Sequence, residues 1–247
     1  MKMICIHHAG GSAYSYSNFK RNLSDYFDVM TIELPGRGTL VNEKLTTDCS
    51  KAIDGLLNQL KNCVEPYEEY ILFGHSMGAW LAYGLCCELD ESKEFYPSHL
   101  ILSGNNPPYL KHEPFDPDNY SDDEFIKIIC GLGGIPDQLL KNEILLNFYI
   151  GVLRADYKLM YYFTSYIEKK ELKCGISVLR AYNDSVVNDI VNEWKEVAPV
   201  GIEIFEFEGN HFSLYDKNMN ESLKQFLCTH KFEGLKLERV RKFSIED

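Results

Sequence analysis

Short apolar runs, separated by helical patterns, organise most of this chain. Each run spans three to six residues, and turn residues such as Gly, Pro or Ser follow most of them. This pattern is typical of strands buried in a parallel sheet. The runs cover residues 1–6, 29–34, 70–73, 100–102, 176–179 and 202–207.

Apolar residues at helical spacing fill the gaps between these runs. They do so at residues 16–26, 48–62, 77–89, 188–194 and 221–227. Strands that alternate with helices predict βαβ units and a mostly parallel, doubly wound α/β sheet. Functional residues are then expected in the loops at the carboxyl ends of the strands.

One segment, residues 105–173, breaks this alternation. It contains helical patterns at 122–131 and 142–167 and almost no strand signal. A helical insertion between two sheet strands predicts a lid over the strand ends. The apolar positions of this lid include Phe125, Ile128, Ile129, Leu145, Phe148 and Leu153. Some of them are expected to face the chamber beneath, and the others to pack the lid onto the domain. We therefore predict one domain over residues 1–230, including the lid, and a tail over 231–247.

Composition excludes several classes of function. The 247 residues carry a formal net charge of −12, which argues against nucleic-acid binding. No apolar run approaches the ~20 residues of a membrane span. The eight cysteines mostly lie in apolar segments without a preceding signal peptide, so reduced thiols in a cytoplasmic protein are expected. No CxxC pair suggests a zinc site.

Gly74-His75-Ser76-Met77-Gly78 carries the strongest chemical signal. It follows one predicted strand and begins the next helix, which is the context of a nucleophile elbow. Such a tight turn exposes the serine hydroxyl above the sheet and points helix N–H groups at the reacting centre. The motif predicts Ser76 as the nucleophile of a hydrolase.

A serine nucleophile needs a base and an acid that orients the base. His211 follows the last predicted strand, where the chain order serine, acid, histidine places the base. Asp184 lies in the loop after the preceding strand and is the predicted acid. Asp189 is the rival, although it could instead cap the following helix.

An oxyanion hole is the remaining requirement of this chemistry. The Met77 N–H is one expected donor, and the loop His8-Ala9-Gly10-Gly11 is expected to supply the other. His7 and His8 are adjacent on a predicted strand and face opposite ways, so the sequence predicts no metal site there.

Four motifs together resemble the type II thioesterases, which edit nonribosomal peptide and polyketide synthesis. They are His8-Ala9-Gly10-Gly11-Ser12-Ala13, Glu33-Leu34-Pro35-Gly36-Arg37-Gly38, Phe73-Gly74-His75-Ser76-Met77-Gly78-Ala79 and Gly209-Asn210-His211-Phe212. Lid segments such as Leu153-Arg154-Ala155-Asp156-Tyr157 are similar too, and the likeness covers roughly residues 1–227. The chain departs from the family at Ile6-His7-His8, where Phe, Pro and an aromatic residue are usual.

The resemblance implies an α/β-hydrolase fold and hydrolysis of acyl groups from the phosphopantetheine arm of acyl or peptidyl carrier proteins. It places the triad on Ser76, Asp184 and His211 and the oxyanion donors on Ala9 and Met77. It implies no cofactor, because the substrate itself carries the phosphopantetheine. The same triad would also serve a carboxylester hydrolase or an acyltransferase, and a catalytically silent interaction module is the alternative from another class.

Overall fold

A parallel β-sheet forms the centre of the molecule. The computed structural model describes residues 1–110, 115–133, 135, 137–187, 189–230 and 239–241, without the side chains of 137–138, 189–191 and 239–241. The strands are β1 (Lys2–Ile6), β2 (Asp28–Ile32), β3 (Tyr70–His75), β4 (His99–Ser103), β5 (Gly175–Ala181), β6 (Ile202–Phe207) and a short β7 (Arg239–Arg241). Their order is β2-β1-β3-β4-β5-β6-β7, and every pairing is parallel. The α/β fold expected from the sequence is confirmed.

Helices connect these strands and cover both faces of the sheet. They are α1 (Ser17–Leu23), α2 (Cys49–Cys63), α3 (Met77–Glu88), α4 (Asp122–Gly131), α5 (Asp137–Leu140), α6 (Glu143–Tyr166) and α7 (Glu221–Thr229). Residues 188–194, which the sequence predicts as helical, belong to a tighter 3₁₀ helix over Asp189–Val197, and Asn188 lies outside the described residues.

Capping side chains explain where several helices begin. Asp48, Asn142 and Asn220 each accept a hydrogen bond from the backbone N–H three residues later. Ser121 and Glu124 form a reciprocal capping box at the start of α4. These contacts satisfy N–H groups that have no partner within the helix.

Two apolar cores lie on opposite faces of the sheet because successive strand side chains alternate. Ile4 and Ile6 pack with α2 and α3 on one face, whereas Met3 and Cys5 pack with α1 and α7 on the other. The predicted tail, 231–247, lies outside the described residues except for the backbone of β7.

The segment between β4 and β5 has a small core of its own. Phe125, Ile129 and Leu153 join α4 to the first half of α6. In its second half, Leu159 and Phe163 belong to the core beneath α2 and α3. Helix α6 therefore anchors the predicted lid to the sheet domain.

Two further observations concern the cysteines and the helices of the whole described chain. The eight cysteines all lie within the described ranges and are free thiols. Within those ranges, no helix combines the length and the apolar character that crossing a membrane requires.

Candidate active site

Ser76 occupies a sharp turn between β3 and α3. Its backbone has φ 56° and ψ −120°, a region that residues with side chains rarely adopt. A Cβ at Gly74 would overlap the carbonyl of Gly78, and a Cβ at Gly78 would overlap the carbonyl of Ile6. Only glycine therefore fits on either side of the serine, and the turn that the motif predicts is present.

His211 and Asp184 meet at the carboxyl ends of β6 and β5. His211 Nδ1 lies 2.8 Å from Asp184 Oδ2, while Asp184 Oδ1 accepts the Val186 N–H at 2.9 Å. Both side chains are buried, with less than a tenth of each exposed. Because a carboxylate only accepts hydrogen bonds, it favours the tautomer with the proton on Nδ1 and leaves Nε2 as an acceptor.

A backbone contact holds the two loops together. The Asn183 N–H donates to the Gly209 carbonyl at 3.0 Å. The structure thus brings Asp184 to His211. The rival acid, Asp189, begins a 3₁₀ helix, but its side chain lies outside the described residues.

The loop after β1 uses the N–H groups of its two glycines for bonds within the protein. The Gly10 N–H donates to Asp156 at 2.7 Å, and the Gly11 N–H closes the turn onto the preceding carbonyl at 2.9 Å. Among the described residues, neither the Ala9 N–H nor the Met77 N–H meets an acceptor. Met77 begins α3, where the first N–H groups have no partner within the helix. These two N–H groups can therefore bind a ligand oxygen.

Two further histidines surround His211. His75 packs its ring 4.8 Å from that of His211, and its Nδ1 lies 3.0 Å from Ser103 Oγ. Burial, with neighbouring histidines, holds the pKa of His75 well below its ordinary value. Burial likewise lowers the pKa of His8 to about 3, with contributions from His7 and His211. His8 and His75 are therefore neutral near pH 7 and add no charge beside His211.

His7 is fully buried and faces away from His8. Its Nδ1–H donates to the His8 carbonyl at 2.8 Å, and its Nε2 accepts the Leu34 N–H at 3.1 Å. Burial is the main cause that lowers its pKa to about 3. Both ring nitrogens are engaged, so His7 joins the end of β1 to the end of β2.

Ser76, Ala9 and His211 open into one cavity of about 330 Å³. This volume is within the range of small-molecule sites. Apolar side chains, most of them from the lid, form most of its wall: Trp80, Phe115, Ile129, Leu132, Leu153, Tyr157, Met160 and Tyr161. The polar groups of Ser76 and His211 thus open into a chamber whose wall is mostly apolar.

The apolar lid positions fulfil different roles. Ile129 and Leu153 line the cavity, as the sequence predicts for some of them. Phe125 is buried inside the lid, whereas Leu145 and Phe148 are about half exposed. Helical spacing alone does not distinguish these positions.

Comparisons with known proteins give matches over most of the chain. A family model described as a thioesterase domain matches residues 1–227. The human medium-chain S-acyl fatty acid synthase thioesterase is 26% identical over 229 residues, which are 92% of this chain and 85% of that protein.

Two solved structures are similar over most of the chain. RedJ, the thioesterase of the prodiginine pathway in Streptomyces coelicolor, has a TM-score of 0.83 and 27% identity and covers 93% of this chain and 89% of its own. BorB, the type II thioesterase of the borrelidin biosynthetic cluster, has a TM-score of 0.75 and 28% identity and covers 85% of both chains.

Proposed function

The chain belongs to the thioesterase family and is a hydrolase of thioesters, and we propose that it releases acyl groups from the phosphopantetheine arm of carrier proteins. The resemblance to type II thioesterases that the motifs indicate is confirmed by the similar structures. In this proposal the substrate brings its own phosphopantetheine, and the enzyme needs neither cofactor nor metal.

One observation carries the catalytic part of the proposal. Ser76, at its strained turn, and His211, held by Asp184, line the same apolar cavity as Ala9. A nucleophile, a base with an oriented ring, and free N–H donors are the components that acyl transfer requires.

In the first half of the reaction, Ser76 Oγ attacks the thioester carbonyl while His211 Nε2 takes the hydroxyl proton. Asp184 stabilises the imidazolium that forms and keeps its ring in place. The carbonyl oxygen becomes an oxyanion, and the N–H groups of Ala9 and Met77 stabilise it. The carbon–sulfur bond then breaks, His211 returns the proton to the leaving sulfur, and the acyl group remains on Ser76 as an ester.

Water completes the reaction. His211 takes a proton from a water molecule, whose oxygen attacks the ester carbonyl, and the oxyanion forms again at the same donors. When the bond to Ser76 breaks, His211 protonates Oγ and a free carboxylic acid leaves. One thioester and one water thus give one thiol and one acid, and the enzyme is regenerated.

The cavity limits the acyl group. Its mostly apolar wall encloses about 330 Å³, which is at the small end of the range for ligand sites. We therefore expect kcat/KM to fall once the acyl chain is longer than the cavity accommodates, which a saturated acyl series would reveal.

The experiment that tests the carrier proposal compares one acyl group on three thiols. We expect kcat/KM to be highest on a carrier protein, lower on coenzyme A and lowest on a truncated pantetheine, because remote contacts supply binding energy. Ser76→Ala is the control and should lose turnover by about 10⁴–10⁶-fold on all three. Equal values on the three thiols would reject carrier recognition without affecting the assignment of Ser76.

A further inference from the structure

Two motifs that the triad leaves unexplained meet in the interior. Arg37, from Pro35-Gly36-Arg37-Gly38 after β2, forms a two-pronged ion pair with Asp156, from Leu153-Arg154-Ala155-Asp156-Tyr157 in α6. The two bonds are 2.6 and 2.7 Å long. Asp156 is fully buried and Arg37 nearly so.

The same carboxylate also binds the loop beside the active site. Asp156 Oδ2 accepts the Gly10 N–H at 2.7 Å as well as one Arg37 nitrogen. Gly10 has φ +75°, and a Cβ there would lie 2.6 Å from Leu153 and 2.7 Å from the Tyr149 hydroxyl. Helix α6 thus packs directly against this loop, and Asp156 forms a polar connection between them.

These bonds fix two consecutive peptide groups. The His8–Ala9 peptide is held by its carbonyl, which accepts from Gly11 N–H at 2.9 Å and from His7 Nδ1–H at 2.8 Å. The Ala9–Gly10 peptide is held by its N–H, which Asp156 accepts. The Ala9 N–H lies in the first of these peptides, which shares the Ala9 Cα with the second. The bond to Asp156 therefore restrains the Ala9 N–H indirectly, by fixing the peptide that follows it.

Stability alone gives a weak reason for such a pair. The cost of removing two charges from water often matches their attraction, and apolar residues of similar volume frequently replace a buried ion pair without loss of stability. An apolar pair, however, cannot accept the Gly10 N–H. Next to two glycines, that peptide would then be free to rotate.

We propose that Asp156, held in place by Arg37, is a positioning residue that aims the Ala9 N–H into the oxyanion hole and ties this aim to the location of lid helix α6. The inference rests on the proposed roles of Ser76 and Ala9. An oxyanion donor acts mainly in the transition state, so a loss of aim lowers kcat and leaves KM nearly unchanged.

The decisive measurement compares two ligands built on one acyl-pantetheine. The first replaces the thioester sulfur with a difluoromethylene group, which gives an electrophilic ketone to which Ser76 Oγ adds reversibly; the serine proton passes to His211, and the ketone oxygen becomes an oxyanion. The second replaces the thioester with a thioether, which binds in the same cavity and forms no oxyanion. The ratio of the two affinities reports the oxyanion hole, whereas a general loss of structure weakens both ligands together.

The test variant is Arg37→Met/Asp156→Leu, which removes both charges and leaves neither unpaired. We expect its kcat and its affinity for the ketone to fall about 10–100-fold, because losing one oxyanion donor altogether costs about 10²–10³-fold. Thioether affinity should stay within about threefold. The matched control is Asp122→Asn. It removes an exposed carboxylate of α4 that pairs with Arg154, which lies on α6 as Asp156 does, and it should leave the ratio unchanged.

Each outcome decides the matter. Parallel losses of ketone and thioether affinity, or an unchanged ratio, would overturn the role of Asp156. If the double variant does not fold, the ratio measured for Asp156→Asn decides, since one amide oxygen cannot serve Arg37 and Gly10 as the carboxylate does. A Ser76→Ala variant that binds the ketone as tightly as the wild type would instead contradict the proposed nucleophile.

Discussion

Asp184→Asn changes one atom type at the point where the base is oriented. The Val186 N–H lies 2.9 Å from one oxygen of Asp184, and His211 Nδ1 lies 2.8 Å from the other. An asparagine keeps the first bond only by turning its amide oxygen toward Val186, which turns its NH₂ toward His211. The opposite orientation sets two donors against each other in a buried place, at a cost of about 1–3 kcal/mol.

The favoured orientation of the asparagine amide changes the tautomer of His211. An NH₂ group facing Nδ1 requires Nδ1 to accept, so the ring proton moves to Nε2. His211 can then no longer take the proton of Ser76. We expect kcat to fall by about 10³–10⁴-fold at neutral pH, the scale of a wrong tautomer in a triad, while KM changes little.

The assay is steady-state hydrolysis of an acyl-pantetheine thioester, followed by thiol release and scaled to active sites titrated with a fluorophosphonate. Asp189→Asn is the matched control and should cost at least ~10²-fold less activity. An Asp184→Asn enzyme that retains a tenth of wild-type kcat would refute this reasoning. A larger loss for Asp189→Asn would move the acid to that residue.

Two further predictions concern stability. Because the folded protein holds the pKa of His7 at about 3, below its ordinary ~6.5, the unfolded state binds the extra proton, and this contribution to stability is lost as pH falls from about 6.5 toward 3. His7→Gln keeps a donor for the His8 carbonyl and an acceptor for the Leu34 N–H. In this variant, the unfolding free energy measured with denaturant between pH 4 and 6 should rise less steeply with pH, by about 1.4 kcal/mol per pH unit. A slope equal to that of the wild type would contradict the buried neutral ring. Gly78→Ala should destabilise the fold by several kcal/mol and abolish activity, since its Cβ meets the last carbonyl of β1. The control Gly151→Ala in α6 has open space around it and should raise the unfolding free energy by about 0.5–1 kcal/mol. Thermal melts that show equal effects for the two variants would disprove the close approach at Gly78.

Local patterns in the sequence were sufficient for much of the fold. The apolar run at 202–207 matches β6 (Ile202–Phe207), and the helical pattern at 122–131 matches α4 (Asp122–Gly131). Both signals are local: a buried strand is mostly apolar along its length, and capping residues mark helix ends. The short β7 (Arg239–Arg241) gives no comparable signal, since its pairing depends on the exposed edge of β6.

The lid shows where local patterns stop being informative. Leu145 and Leu153 have the same residue type on one helix, yet the first is half exposed and the second lines the cavity. Which face of α6 meets the sheet domain depends on packing against α2 and α3, and the spacing of apolar residues within α6 does not encode it.

The sequence by itself indicated Ser76 as the nucleophile, because the strand, tight turn and helix around it give a local pattern. Gly74 is required by its contact with Gly78 in the same turn, whereas the contact that requires Gly78 is with Ile6 on β1. The sequence also indicated Asp184 and His211 through their order along the chain, and the structure places them 2.8 Å apart. Only the tertiary structure decided the rest of the site.

The pairing of Arg37 with Asp156, 119 positions apart, has no local signature. Nor has the bond from Asp156 to the Gly10 N–H, 146 positions away. The physical reason is that a buried charge specifies only that some partner must neutralise it, whereas the packing of α6 across the sheet selects which one.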